Sequence, residues 1–170
     1  MYQELLMERN LTLIKTSLEF FKKELNISEE DSGLIEVKIV KRLRGALGRC
    51  MGVYTHHGSV LSGIKIEIAE TATTLGIIET LAHEMVHAKQ NLDGHFHWVM
   101  VEKKIFFGLI KVKIPERAYK GQVLSETSYY DQLCEQEAHT VSLELVTKFM
   151  NHIHNGVYKK EKEVLMIESF

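Results

Sequence analysis

TLAHEMVHAKQ, Thr80 to Gln90, decides how the rest of the chain is read. Side chains three or four residues apart on a helix share a face. His83 and His87 therefore stand one turn apart and can offer imidazole nitrogens to a single cation. Glu84 projects about 100° round from His83, beside such a cation rather than on it, where a base for a water molecule belongs. Gly76, Thr80 and Gln90 share the histidine face, which carries no bulky apolar residue. Ile77, Leu81 and Met85 fall on another face and can anchor the helix in a core. One side of this helix is expected in the core and the other on a cleft.

An HExxH pattern arises by chance in roughly a few per cent of sequences this rich in histidine and glutamate, so the motif needs its context. Here Leu81, Ala82, Met85, Val86 and Ala88 keep its flanks uncharged, as a helix buried beside a metal requires. Lys89 is the one less typical flank. The pattern predicts a zinc site, and two histidines do not complete one. A catalytic zinc usually has three protein ligands and one open position for water.

The chain has 170 residues, enough for one domain spanning 1–170, and a net charge of -2 that suggests neither a nucleic-acid nor a membrane surface. The short charged runs Lys22-Lys23 and Lys159 to Lys162 read as solvated faces. Cys50 and Cys134 form no CxxC pair and are expected as two buried thiols in a reducing compartment. No segment approaches the roughly 18 apolar residues of a membrane span, and MYQELLMERN lacks the apolar run of a signal peptide. A cytoplasmic location is expected.

Met7, Leu11, Ile14, Leu18, Phe21 and Leu25 form one apolar stripe and predict an N-terminal helix. Ile35, Val37 and Ile39 alternate with Glu36 and Lys38, a half-buried strand, and Ile64, Ile66 and Ile68 repeat that pattern. Between them, Gly45 to Gly58 is glycine-spaced, which suggests short extended pieces close to another backbone or side chain. Thr71, Thr73 or Thr74 is expected to cap the HExxH helix, which runs to about Asn91. His95 to Pro115 reads as a strand or a hairpin around Gly108, ended by the only proline. A long helix is expected from about Tyr130 to Asn155, and the tail GVYKKEKEVLMIESF as a strand or a loose end. The pattern is α+β.

Three places offer a third ligand. Glu137, in CEQEAHTVSLEL, lies about fifty positions after His87 and faces the pair if the two helices pack together. Asp93 lies six positions after His87, but Gln90 stands where a chain that doubles back needs glycine. His95 and His97 follow in a DGHFH turn. TLAHEMVHAKQ together with YYDQLCEQEAH resembles the compact zincin metallopeptidases, including the SprT-like and ImmA/IrrE-like proteins of bacteria and phages. The resemblance covers about Ile64 to Leu145. It implies a zincin-like fold: an N-terminal helix, a small twisted mixed sheet, the HExxH helix and a C-terminal helix bearing the third ligand. It also implies one Zn2+, with Glu137 as gluzincin-type ligand and Glu135, His95 and Asp93 in reserve. Two departures stand out. Val141 replaces the aspartate of larger gluzincins, leaving Thr140 or Glu144 to orient the ligands, and the HGxxF-like segment of SprT relatives is missing.

The resemblance implies a metallo-endopeptidase, with Glu84 as general base and an extended protein or peptide substrate. An oxyanion donor is sought among Tyr119, Tyr129, Tyr130 and His97. Substrate is expected to pair with an edge at Gly52-Val53-Tyr54 or Lys120-Gly121-Gln122. If the chain is phage-encoded, it would work in the host cytoplasm. A silent zincin-fold protein that regulates a protein partner is the alternative. A DNA-associated SprT-like protease is another, which the lack of a basic tail or zinc-ribbon cysteines disfavours.

Overall fold

The alternating isoleucines become the centre of a small mixed sheet. The computed structural model describes residues 2–55, 60–70, 73–107 and 110–167, with the side chains of 11–55, 60–70, 73–107 and 110–156. Strand β1 (Ile35–Val40) and strand β2 (Gly48–Tyr54) lie on either side of β3 (Leu61–Ala69), which runs parallel to β1 and antiparallel to β2. Ile64, Ile66 and Ile68 of β3 are buried on one face. The other face meets water, where Arg49 pairs with Glu67 at 2.5 Å. This is the period-two division that the sequence pattern predicts.

Helices cover the inner face. The first, α1 (Tyr2–Glu24), precedes the single turn α2 (Glu29–Ser32), and α3 (Thr74–Leu92) carries the quoted motif. Thr73 caps α3, its hydroxyl accepting from the Gly76 N–H at 3.2 Å; Thr71 lies outside the described residues. On α1 the stripe is only partly used. Ile14 and Phe21 are buried, Leu18 and Leu25 are half-buried, and Leu11 is exposed. The long α4 (Leu133–Ile167) joins the core through Ala138, Leu145 and Phe149, and Phe149 meets Phe21 with ring centroids 5.7 Å apart.

A second sheet is a long ribbon. Strand β4 (Phe96–Ile105) pairs antiparallel with β5 (Ile110–Tyr119) throughout, and the two-residue β6 (Gln122–Val123) joins only at Ala118 and Tyr119. The hairpin around position 108 forms as expected, though Gly108 itself lies outside the described residues. Pro115 does not end the strand. It sits inside β5 opposite Met100, where β6 does not reach, so one flank is an edge that tolerates a missing N–H. The tail likewise departs from expectation: α4 runs through Gly156 to Ile167, and KKEKEVLM supplies good helix formers. Its start is later than predicted because Tyr129–Asp131 makes a 3-10 turn first. Among the described residues, no helix is long and apolar enough to cross a membrane.

The glycine spacing of β2 has a steric cause. A Cβ on Gly48 would stand 2.4 Å from Thr80 Cγ2 and 2.6 Å from Glu84 Oε1, and one on Gly52 would stand 2.7 Å from Asn91 Oδ1. Thr80 cannot easily turn away, since its hydroxyl donates to the Gly76 carbonyl at 2.7 Å. Gly48→Ala should therefore destabilise the fold by about 1–3 kcal/mol, read as a lower urea midpoint. An unchanged midpoint would show that β2 and α3 separate freely.

Candidate functional site

The helix α3 delivers its two histidines to a cleft between β2, the base of the ribbon and the start of α4. His83 Nε2 and His87 Nε2 are 3.2 Å apart. Glu135, from the first turn of α4, closes the group: its Oε2 lies 3.3 Å from His83 Nε2 and its Oε1 3.3 Å from His87 Nε2. Tetrahedral coordination at about 2.0–2.1 Å sets neighbouring donors about 3.3 Å apart, so this spacing suits a small divalent ion. Glu135 Oε2 is buried without an aligned hydrogen bond, a polar atom that such an ion would satisfy.

The side chain that joins the two histidines is thus Glu135, the reserve choice, and not Glu137. Helix geometry decides between them. Residues 135 and 137 are about 200° apart, so only one can face the histidine pair. The buried stripe Ala138, Leu145 and Phe149 extends back towards Glu135. Glu137 points elsewhere: it accepts from Tyr119 Oη, from Lys120 Nζ at 3.3 Å and from Gln90 Nε2 at 3.3 Å. Burial opposes its charge, but these donors hold its carboxyl below the usual range.

Gln90 orients the site. Its amide nitrogen donates to the Cys134 carbonyl at 3.1 Å, which fixes the amide and turns Oε1 towards His87 Nδ1 at 2.8 Å. The ring then donates from Nδ1 and keeps the Nε2 lone pair free, as a ligand must. Thr140 and Glu144 do not take that part. Both are exposed, and the Thr140 hydroxyl donates to the Gln136 carbonyl of its own helix.

Electrostatics set the two carboxylates apart. Burial raises the pKa of Glu84, which is 6% exposed, against the pull of His87 and His83. At Glu135 burial also works against the charge, but the close approach of His83, His87 and Tyr129 holds its carboxyl well below the usual range. For His87, burial disfavours the cation, yet Glu135, Gln90 and Glu84 outweigh it and raise the pKa.

The remaining candidates fall on both sides of the cleft wall. Tyr129 and the exposed Tyr130 line it. His97 is exposed on β4 opposite Ala118, and Asp93 caps α3 and pairs with Lys89, so neither joins the group. His95 sits with its ring 5.8 Å from Tyr119, its Nδ1 buried and unbonded, outside the His83, His87 and Glu135 set. Tyr119 is buried against Glu137. Both cysteines are free and border the cleft, and burial raises their pKa values, that of Cys134 to about 11. His139 was missed from the sequence. Its ring lies 4.8 Å from that of His83, and its spacing of four from Glu135 was the available signal.

Zinc binding followed by equilibrium dialysis should separate the carboxylates. Glu135→Ala should weaken binding at least tenfold, Gln90→Ala about 10–100-fold, and Glu137→Ala least; a larger loss in Glu137→Ala would reverse the assignment. In comparison with known proteins, the chain matches no family model, no curated protein and no solved structure.

Proposed function

We propose that the chain is a zincin-type metallopeptidase that holds one Zn2+ through His83, His87 and Glu135 and hydrolyses peptide bonds with Glu84 as general base. The observation that carries this is the convergence of three donor atoms, from two helices, beside a buried carboxylate that takes no part in the group. A divalent ion there would supply Lewis acidity and make a water molecule more acidic.

The chain's own groups do the rest. Glu84, with its pKa raised by burial, is suited to take a proton from water and return it to the departing amine. Tyr129, Tyr130 and His139 line the cleft and are the candidate donors to a developing oxyanion, a contribution of about 3 kcal/mol when well placed. Strand β2 is a sheet edge whose residues Gly48 to Cys50 line the cleft, so an extended peptide can pair along it. That is the same strand as the expected Gly52–Tyr54 edge, four residues earlier. Lys120 and Gly121 form the turn between β5 and β6 instead.

A second reading, a partner-binding protein, draws on the ribbon, where Trp98, Met100, Phe106 and Phe107 are exposed. One experiment separates the two. The zinc-loaded protein should cut unfolded casein, and Glu84→Gln should keep zinc while losing at least about 100-fold in rate. Equal rates would remove Glu84 from the chemistry. A parent protein that binds zinc and leaves every unfolded protein intact would favour the binding module.

A further inference from the structure

Arg117 brings a cation to the same cleft that the hydrolytic groups do not use. It lies on β5 opposite Trp98, and its guanidinium carbon sits 3.9 Å above the Phe96 ring centroid. One Nη2–H donates to Asn91 Oδ1 at 2.9 Å. Asn91 is itself fixed: Tyr54 Oη donates to the same oxygen at 3.1 Å, and Asn91 Nδ2 donates to the His87 carbonyl at 2.7 Å. The guanidinium is thus tied to α3 through Asn91, whose backbone lies about 6 Å along the helix from that of His87, one turn away.

The two side chains that hold it, Phe96 and Asn91, are neutral. Among the described residues no carboxylate pairs with Arg117, although eight other pairs between Lys or Arg and a carboxylate are formed. Guanidinium has five N–H donors in a planar fork, and the Asn91 bond uses one. Phe96 and Asn91 fix the plane without neutralising the charge. A pre-positioned fork of this kind matches a carboxylate in two-point contact, more strongly than it matches a neutral carbonyl.

We propose that Arg117 is a carboxylate-recognition subsite, so that the cleft selects peptides carrying a carboxylate within about two residues of the reacting bond. An extended chain advances about 3.3 Å per residue, which sets that range. The carboxylate is either an acidic side chain or a free chain end. Calling the ligand a peptide rests on the proposed peptidase activity; the recognition of a carboxylate by Arg117 does not.

Binding can be measured apart from catalysis. Zinc-loaded Glu84→Gln protein is titrated, by fluorescence anisotropy, against three pools of octapeptides that share a BODIPY label without a carboxylate and have no charged group other than the one stated. The first has one central glutamate and an amidated end, the second a central glutamine and an amidated end, the third a central glutamine and a free end. The first or the third should bind about tenfold more tightly than the second, and whichever does so identifies the source of the carboxylate. Adding Arg117→Gln should abolish the preference, and Arg117→Lys, which keeps the charge without the fork, should retain part of it. Equal binding of the three pools, no binding of any, or a preference that survives in Arg117→Gln would overturn the proposal. Parent protein that binds the favoured pool through Arg117 and leaves it uncut would refute the peptidase and leave the subsite in place.

Discussion

The joint between α3 and α4 is the constraint on which the site depends, and Gln90 is its fastener. This side chain is 2% exposed, and it bonds to His87, to the Cys134 carbonyl and to Glu137. A buried amide is costly unless its groups are satisfied, and here each bond has a structural consequence. One bond selects the His87 tautomer. Another sets the height of the α4 start, so Glu135 arrives opposite the histidines rather than a turn above or below them. The third steadies Glu137, which Tyr119 and Lys120 hold from the ribbon side. Helix packing, ligand orientation and ribbon attachment therefore meet at one side chain.

That joint also concentrates charge. Glu84 and Glu135 are both buried beside two imidazoles, and burying two carboxylates costs several kcal/mol unless cations or donors compensate. Glu135 has His83, His87 and Tyr129; Glu84 has only the more distant field of the histidines. The asymmetry divides their roles. The strongly acidic carboxyl stays ionised and suits a ligand, while the one raised by burial is the better proton carrier. Both carboxylates come from the two helices, and Tyr129, in the turn before α4, adds to the contrast between them.

Local periodicity explains what the sequence made legible. The α3 face, with His83 and His87 one turn apart, needs only helix geometry, and the two isoleucine strands need only alternation. The misreadings share a different origin: each required the placement of a second element. Choosing Glu137 over Glu135 ignored the roll of α4, although Ala138, Leu145 and Phe149 recorded it. Pro115 ended the predicted strand because nothing local says that β6 stops short of it. Arg117 and Asn91 carried no signal, since their pairing depends on how the ribbon base meets α3. The expected ligand-orienting groups Thr140 and Glu144 failed for the same reason, facing solvent once α4 was rolled correctly.

Seen from α3, the rest of the molecule is a set of walls at different distances. The β2 wall is brought close by Gly48 and Gly52, because any side chain there would strike Thr80, Glu84 or Asn91. The α4 wall is spaced by Ala138 and Gln90, and the ribbon wall by Tyr119 and Phe96 against Arg117. Small residues on one side and long polar ones on the others leave an open trough along the histidine face. Its two ends then differ in chemistry: carboxylates and imidazoles at His83, the Arg117 guanidinium beyond His87. If the cleft takes a peptide as proposed, the guanidinium at one end and the His83, His87 and Glu135 group at the other would make its two ends unlike and give the bound chain one preferred direction.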